Sequence, residues 1–411
     1  MKPLETFCIV LIFTISSTFA QSSTCDCKAD LDFVVEKMKK MPSYKKQIKG
    51  KKAEEFTNTY NRLSAKMETP IPVEACYKML LEQMLLVNDV HASIQMNNSY
   101  LSEDIAEDAD KLSNFKASVL FQNHPKSAYN LRDLEKELGN KPAESLEGIY
   151  NYQKSQKIGI YYAENKKDLI GVVLNSSLNH WIPGEIRFYA THTTDNKYNV
   201  YQYDINTRIP HFVKSLSFEN GRLWSYKKLG NTNNFEFPEN DQPQLEFKQI
   251  NENTQYLHFR NFSNSEKEAH LNFYKDVKDK ITAKHIIVDL RSNSGGNKKY
   301  SDTFLKLLKS KKIYILTNCF TGSNGEQFTV KLKKLKHAIH LGQTTRGIIA
   351  YGKNYGYQYN TPSGHFKMTP TDMNFHKYIA FEGKGVAPDI TLDYDKDWMQ
   401  QTLEIIENRS N

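Results

Sequence analysis

At 411 residues the chain is too long for one ordinary core, so two or three domains are expected. With 39% hydrophobic, 12% aromatic and 25% charged residues it can bury a sizeable interior, which excludes a disordered chain. The net charge of +8 comes mostly from scattered lysines, dense only at "KMKKM" and "KGKK" between Lys37 and Lys52; no aromatic-basic motif accompanies them, so no nucleic-acid partner is expected.

"MKPLETFCIVLIFTISSTFAQSS" has a short charged start, an apolar stretch from Phe7 to Ile15 and small residues up to Ala20. This reads as a secretory signal, residues 1–20, cut after Ala20. The apolar stretch is too short to span a bilayer, and no later run approaches membrane length. The expected mature chain is exported, periplasmic or secreted, with no stable membrane span. Cys25, Cys27, Cys76 and Cys319 remain in it, and export allows Cys76 to pair with either Cys25 or Cys27. Cys25 and Cys27 lack the spacing of a zinc pair, so no metal is expected.

Residues 21–115 form the first expected domain. From Asp30 to about Ile94 apolar residues recur at spacings of three and four, which predicts a helical bundle whose last helix runs out near Asp89 to His91. Residues 116–249 have a different texture: "GIYYA", "LIGVVLN", "GEIRFYATH" and "YNVYQYDI" are aromatic and β-branched between Asn, Asp, Gly and Pro, predicting an antiparallel β domain. The polar run Leu229 to Gln244 reads as a boundary loop.

Residues 250–411 alternate strands and helices, the signature of parallel crossovers in an α/β core. Sites in such sheets form beyond the carboxyl ends of the strands. Two of those ends are unusual. "VDLRSNSGGN" delivers Gly295 and Gly296, whose N–H groups can approach a ligand because no Cβ intervenes. In "TNCFTGSNGEQF", Ser323 takes a helix N-cap with Glu326 three residues later, beside the N–H of Asn324. A hydroxyl, N–H donors and a base are the parts that acyl transfer needs. Asp289 and Arg291 read as a pair tying the strand end, and Asn293 as fixing the turn.

"IIVDLRSNSGG", "YILTNCFTGSNGEQF", "HLGQTTRGIIAYG" and "EGKGVAPDI", in that order, resemble peptidase family S41, the carboxyl-terminal-processing and tricorn-like serine proteases. The resemblance implies crotonase/ClpP-like βα layers, a peptide or protein substrate, and no cofactor. It places the nucleophile on Ser323 and the oxyanion donors on the N–H of Asn324 and of one of Gly295 and Gly296. The lysine of the Ser/Lys branch falls on Ile348, which takes no proton. The tricorn-like branch instead places a histidine base at His91, in "DVHA", supported by an acid at Glu382. Asp89 is the alternative orienting acid and Lys353 the fallback base. Val90 stands where that branch has a serine. The rival readings are a silent peptide-binding protein of the same fold, and a crotonase-like enzyme acting on a thioester or small ester.

Overall fold

The computed structural model describes residues 24–97, 100–219, 221–231 and 233–409. The segment read as a signal lies outside them.

Helices Cys27–Lys40, Pro42–Gln47, Lys51–Ala65 and Val73–Leu85 come first. The disulfide joins Cys27 to Cys76, and Cys25 is left as a buried free thiol. The chain then departs from its helical pattern. Ser93–Met96 is a strand, paired antiparallel with Phe366–Thr369. Its four residues are too few for periodicity to distinguish strand from helix, and the partner that decides lies far along the chain. Nor do the helices close a core of their own. Tyr77, Leu80 and Met84 pack in one cluster with Tyr150, Phe188 and Phe218 of the β region and with Phe366.

Short helices, Val119–Gln122 and Leu131–Gly139 among them, precede the β region, so the strands begin only at Gly148. From there to Lys228 eight antiparallel strands close into a barrel, which removes every sheet edge. An eight-stranded barrel is just wide enough for side chains to fill it. Tyr150, Ile158, Ile160, Phe188, Val200 and Phe218 are all buried there. Among the described residues the run Leu229 to Gln244 carries no strand or helix, and Leu245–Asn251 already belongs to the next sheet.

That sheet has six strands in the order Leu245–Asn251, Thr254–Phe259, His285–Asp289, Lys312–Thr317, Ala338–Gly342 and Ile390–Thr391. The first two form an antiparallel hairpin, and every later pairing is parallel. The apolar run "HIIVD" follows from burial on both faces. Ile286 and Val288 enter one core with Phe304 and Phe328, whereas Ile287 faces the other with Trp398. Helices Lys267–Val277, Lys298–Leu308 and Asn324–Leu332 are the crossovers, and Trp398–Asn408 closes the opposite face. This layering sets the carboxyl ends of His285–Asp289 and Lys312–Thr317 side by side, and the two unusual turns with them.

Candidate active site

Strand Lys312–Thr317 leaves the sheet through a turn, and Ser323 starts the helix Asn324–Leu332. Its backbone sits at φ 55 and ψ −121, a conformation that costs a residue with a Cβ about 1–3 kcal/mol and persists only where neighbours over-determine it. They do. Ser323 N–H donates to Ile348 O at 3.0 Å and to Glu326 Oε2 at 3.1 Å. Gly322 N–H donates to Asn293 O at 2.8 Å, and Arg346 N–H to Thr321 O at 2.9 Å.

Glu326 is the hub of this turn. Fully buried, it accepts Thr345 Oγ1 (2.6 Å) and Gly347 N–H (2.6 Å) on Oε1, and Ile348 N–H (2.9 Å) on Oε2 beside that of Ser323. Burial raises its carboxyl above the ordinary range, and these hydrogen bonds oppose the rise. Expected as a cap, Glu326 also lashes the loop Thr345–Ile348 to the Ser323 turn. Ile348 fills the space beside Gly322, where an added Cβ would lie 3.0 Å from Ile348 Cγ2.

The glycine loop presses against Ser323 with backbone alone. A Cβ on Gly295 would lie 2.5 Å from Ser323 Cβ and 2.9 Å from Asn324 N; one on Gly296 would lie 2.0 Å from Phe262 O. The two glycines adopt φ 87 and 129, in the region that glycine favours. Their N–H groups differ. Gly295 N–H is spent on Asn293 Oδ1 at 2.9 Å, whereas those of Gly296 and Asn324 meet no acceptor among the described residues. Asn293 also donates Nδ2 to Phe259 O at 2.7 Å, fixing the turn. Asp289 and Arg291 pair at 2.6 Å, and Arg291 Nη1 reaches Phe235 O (2.8 Å) and Phe237 O (3.1 Å), clamping the boundary loop.

His91 follows the helix Val73–Leu85 in a turn that several elements grip. Glu382 Oε1 accepts Val90 N–H at 2.8 Å, while its Oε2 accepts Ile349 N–H (2.9 Å) and Ala350 N–H (2.7 Å). Glu382 thus staples the His91 turn to the loop that touches Ser323. Its oxygens meet backbone, and no hydrogen bond joins His91 to Glu382 or to Ser323 among the described residues. His91 Nδ1 is buried without a partner. Burial, then the positive charges of Lys353, Arg346 and Lys214, push the imidazole down to about 3, so it is neutral at neutral pH. Asp89 spends its carboxylate on Ala92 N–H (3.0 Å) and Thr371 Oγ1 (2.6 Å). Lys353 faces Asp89 and His91 with its charge.

Sequence reasoning missed the groups that hold this arrangement from a distance. Lys214, on barrel strand Pro210–Glu219, brackets His91 by donating to Asp89 O (2.7 Å) and Ala92 O (2.8 Å). Its neighbour Ser215, at φ 56, donates Oγ to Arg346 O at 2.7 Å and Gly383 O at 3.0 Å. Buried Lys197 donates to Thr345 O at 2.8 Å. Gln47 takes both backbone groups of Asn88 and donates to Tyr351 Oη. A lysine breaking the apolar run "HFVKSLSF" was the one visible signal.

Cys25, Asp30 and Cys76 lie together, but the sulfur of Cys76 is committed to Cys27, so the trio lacks a full ligand set. No helix among the described residues is long and apolar enough to cross a membrane.

The sequence pattern of peptidase family S41 matches residues 298–392. The match contains Ser323, Asn324, Glu326 and Glu382; Gly295 and Gly296 lie just before it, and His91 lies far outside. No curated protein matches the chain. Similar solved structures include a candidate peptidase from Parabacteroides merdae, 11% identical over 92% of this chain and 96% of that one, with a TM-score of 0.40. The photosystem II D1 C-terminal processing protease is 12% identical over 92% and 97%, with a TM-score of 0.38. The tricorn protease is 12% identical over 94% and 37%, with a TM-score of 0.42.

Proposed function

We propose that the chain is an exported S41-type serine peptidase that hydrolyses peptide bonds from Ser323. The observation that carries this reading is the strained N-cap seat of Ser323, with the uncommitted N–H of Asn324 next to it, Gly295 packed against it, and the uncommitted N–H of Gly296 following in the same loop. The family match over residues 298–392 supports a peptidase.

In this reading Ser323 Oγ attacks the scissile carbonyl carbon and its proton passes to neutral His91. The N–H groups of Asn324 and Gly296 receive the oxyanion; Gly295 supplies the close approach, its own N–H being spent on Asn293. His91 then protonates the leaving amine, and water repeats the sequence on the acyl-enzyme. His91 reaches Ser323 when substrate is bound, since catalytic hydrogen bonds commonly tighten only in the Michaelis complex. Glu382 acts through backbone, setting the His91 turn by accepting the N–H of Val90. Export rests on the signal-like N-terminus and accords with the Cys27–Cys76 disulfide.

The test is hydrolysis of an unfolded protein such as reduced casein, read as new N-termini by mass spectrometry. Cleavage by the wild type and none by Ser323→Ala is expected. Equal cleavage by both would overturn the assignment.

A further inference from the structure

A cavity of about 960 Å³ opens between the start of helix Val73–Leu85, the short helix Val119–Gln122 and the outer wall of barrel strands Ile186–Thr194 and Lys197–Tyr203. Ser323, His91 and Glu382 do not line it. Packed interiors leave few voids larger than a water molecule, and this volume lies in the range of small-molecule sites.

The polar centre of the cavity is Glu74. Its Oε1 accepts the hydroxyls of Tyr201 and Tyr203, each at 3.0 Å, and pairs with Lys78 Nζ at 2.9 Å. Its Oε2 receives no hydrogen bond among the described residues. Tyr100 and Tyr189 also line the cavity, and after the larger effect of burial the charge of Glu74 raises both phenols. A carboxylate among aromatic rings suits an organic cation, which the faces of the rings attract. The molecule already supplies one: the Lys78 ammonium lies 5.1 Å from the centroid of the Tyr201 ring, on a side chain 53% exposed and free to swing out.

The other charged groups at the cavity do not call for an anion. Arg208 is committed to Glu185 at 2.9 and 3.0 Å and lies over Phe121, and His124 Nε2 is bound to Ile186 O at 2.8 Å. Phe115, Val119 and Phe121 make an apolar stretch of the wall, which Ser118, Asn123 and His365 interrupt with neutral polar groups or an imidazole. We propose that this cavity binds an amphiphilic ammonium ligand. The cation sits on the Glu74 carboxylate among the tyrosine rings in place of the Lys78 head, and the apolar body lies against Phe115, Val119 and Phe121.

The test is titration calorimetry of the full chain with decyltrimethylammonium below its micelle concentration, beside decyl maltoside and decyl sulfate. One saturable site is expected for the ammonium alone. Glu74→Gln, whose amide oxygen can still accept the tyrosine hydroxyls, should weaken it about tenfold, the loss of one charge contact. Lys78→Ala, which removes the tethered competitor from an exposed position, should tighten it. Equal binding of the neutral and cationic probes would overturn the proposal, as would affinity unmoved by Glu74→Gln or weakened by Lys78→Ala. Circular dichroism of each variant identifies any loss that comes from misfolding.

Discussion

Glu326 Oε2 accepts the N–H of Ser323 at 3.1 Å while the same carboxylate gathers Thr345, Gly347 and Ile348, so one buried side chain sets both the Ser323 turn and the loop beside it. Glu326→Gln turns an amide NH₂ toward N–H donors that need an acceptor. A buried donor left unpaired costs about 1–3 kcal/mol. Urea unfolding should show a loss of that order, and hydrolysis should fall further than stability does. Full activity in a folded variant would remove Glu326 from the positioning role.

Gly295→Ala places a methyl 2.5 Å from Ser323 Cβ at a φ of 87. Losing one oxyanion donor costs about 10²–10³ in kcat. Displacing the glycine loop should bring kcat down by a comparable factor, with little change in circular dichroism. Wild-type kcat would show that the loop does not face the reacting carbonyl.

Much of the core was legible because its signals are local. The alternation of strands and helices, the two glycines after "VDLRSNS" and the Ser-x-x-Glu step each lie within a few residues. The barrel was less legible: its strands showed, but closure depends on Arg222–Leu223 pairing with Pro210–Glu219 on one side and Tyr226–Lys228 with Gly148–Tyr152 on the other. The His91 turn was least legible. Lys214, Gln47, Thr371 and Glu382 hold it from distant parts of the chain, and no spacing rule links them to His91.

Burial, followed by the charges of Lys353, Arg346 and Lys214, holds His91 down at about 3. A base that stays neutral through the acid range gives a kcat/KM profile whose acid limb lies well below the ordinary histidine value. Lys353→Ala removes the charge that acts most strongly on His91, so the limb should move to higher pH. A limb near 6.5 in the wild type, unmoved by Lys353→Ala, would contradict the assignment.

Burial raises the Glu382 carboxyl from 4.5 to about 7, the backbone N–H groups opposing it. The folded state therefore holds more protons than the unfolded state between those values. The stability this group contributes is fully present below about 4.5 and is lost as pH rises through about 7. Glu382→Gln should flatten that part of the curve of unfolding free energy against pH, measured in urea from pH 5 to 8. Parallel curves for variant and wild type would mean that Glu382 titrates normally.

The Cys27–Cys76 disulfide closes a loop of 49 residues, worth about 4 kcal/mol by chain entropy. Reduction should lower Tm, and Cys27→Ser should match the reduced protein. An unchanged Tm on complete reduction would show that the helical segment holds itself on the barrel without the crosslink.

The most direct test of the central claim is covalent labelling by a serine-directed fluorophosphonate, read by intact mass. Wild-type protein should gain one adduct, mapped to Ser323; Ser323→Ala should gain none, and His91→Ala should label far more slowly. An adduct that persists in Ser323→Ala, or a wild type that never labels while it cleaves peptides, would contradict the account.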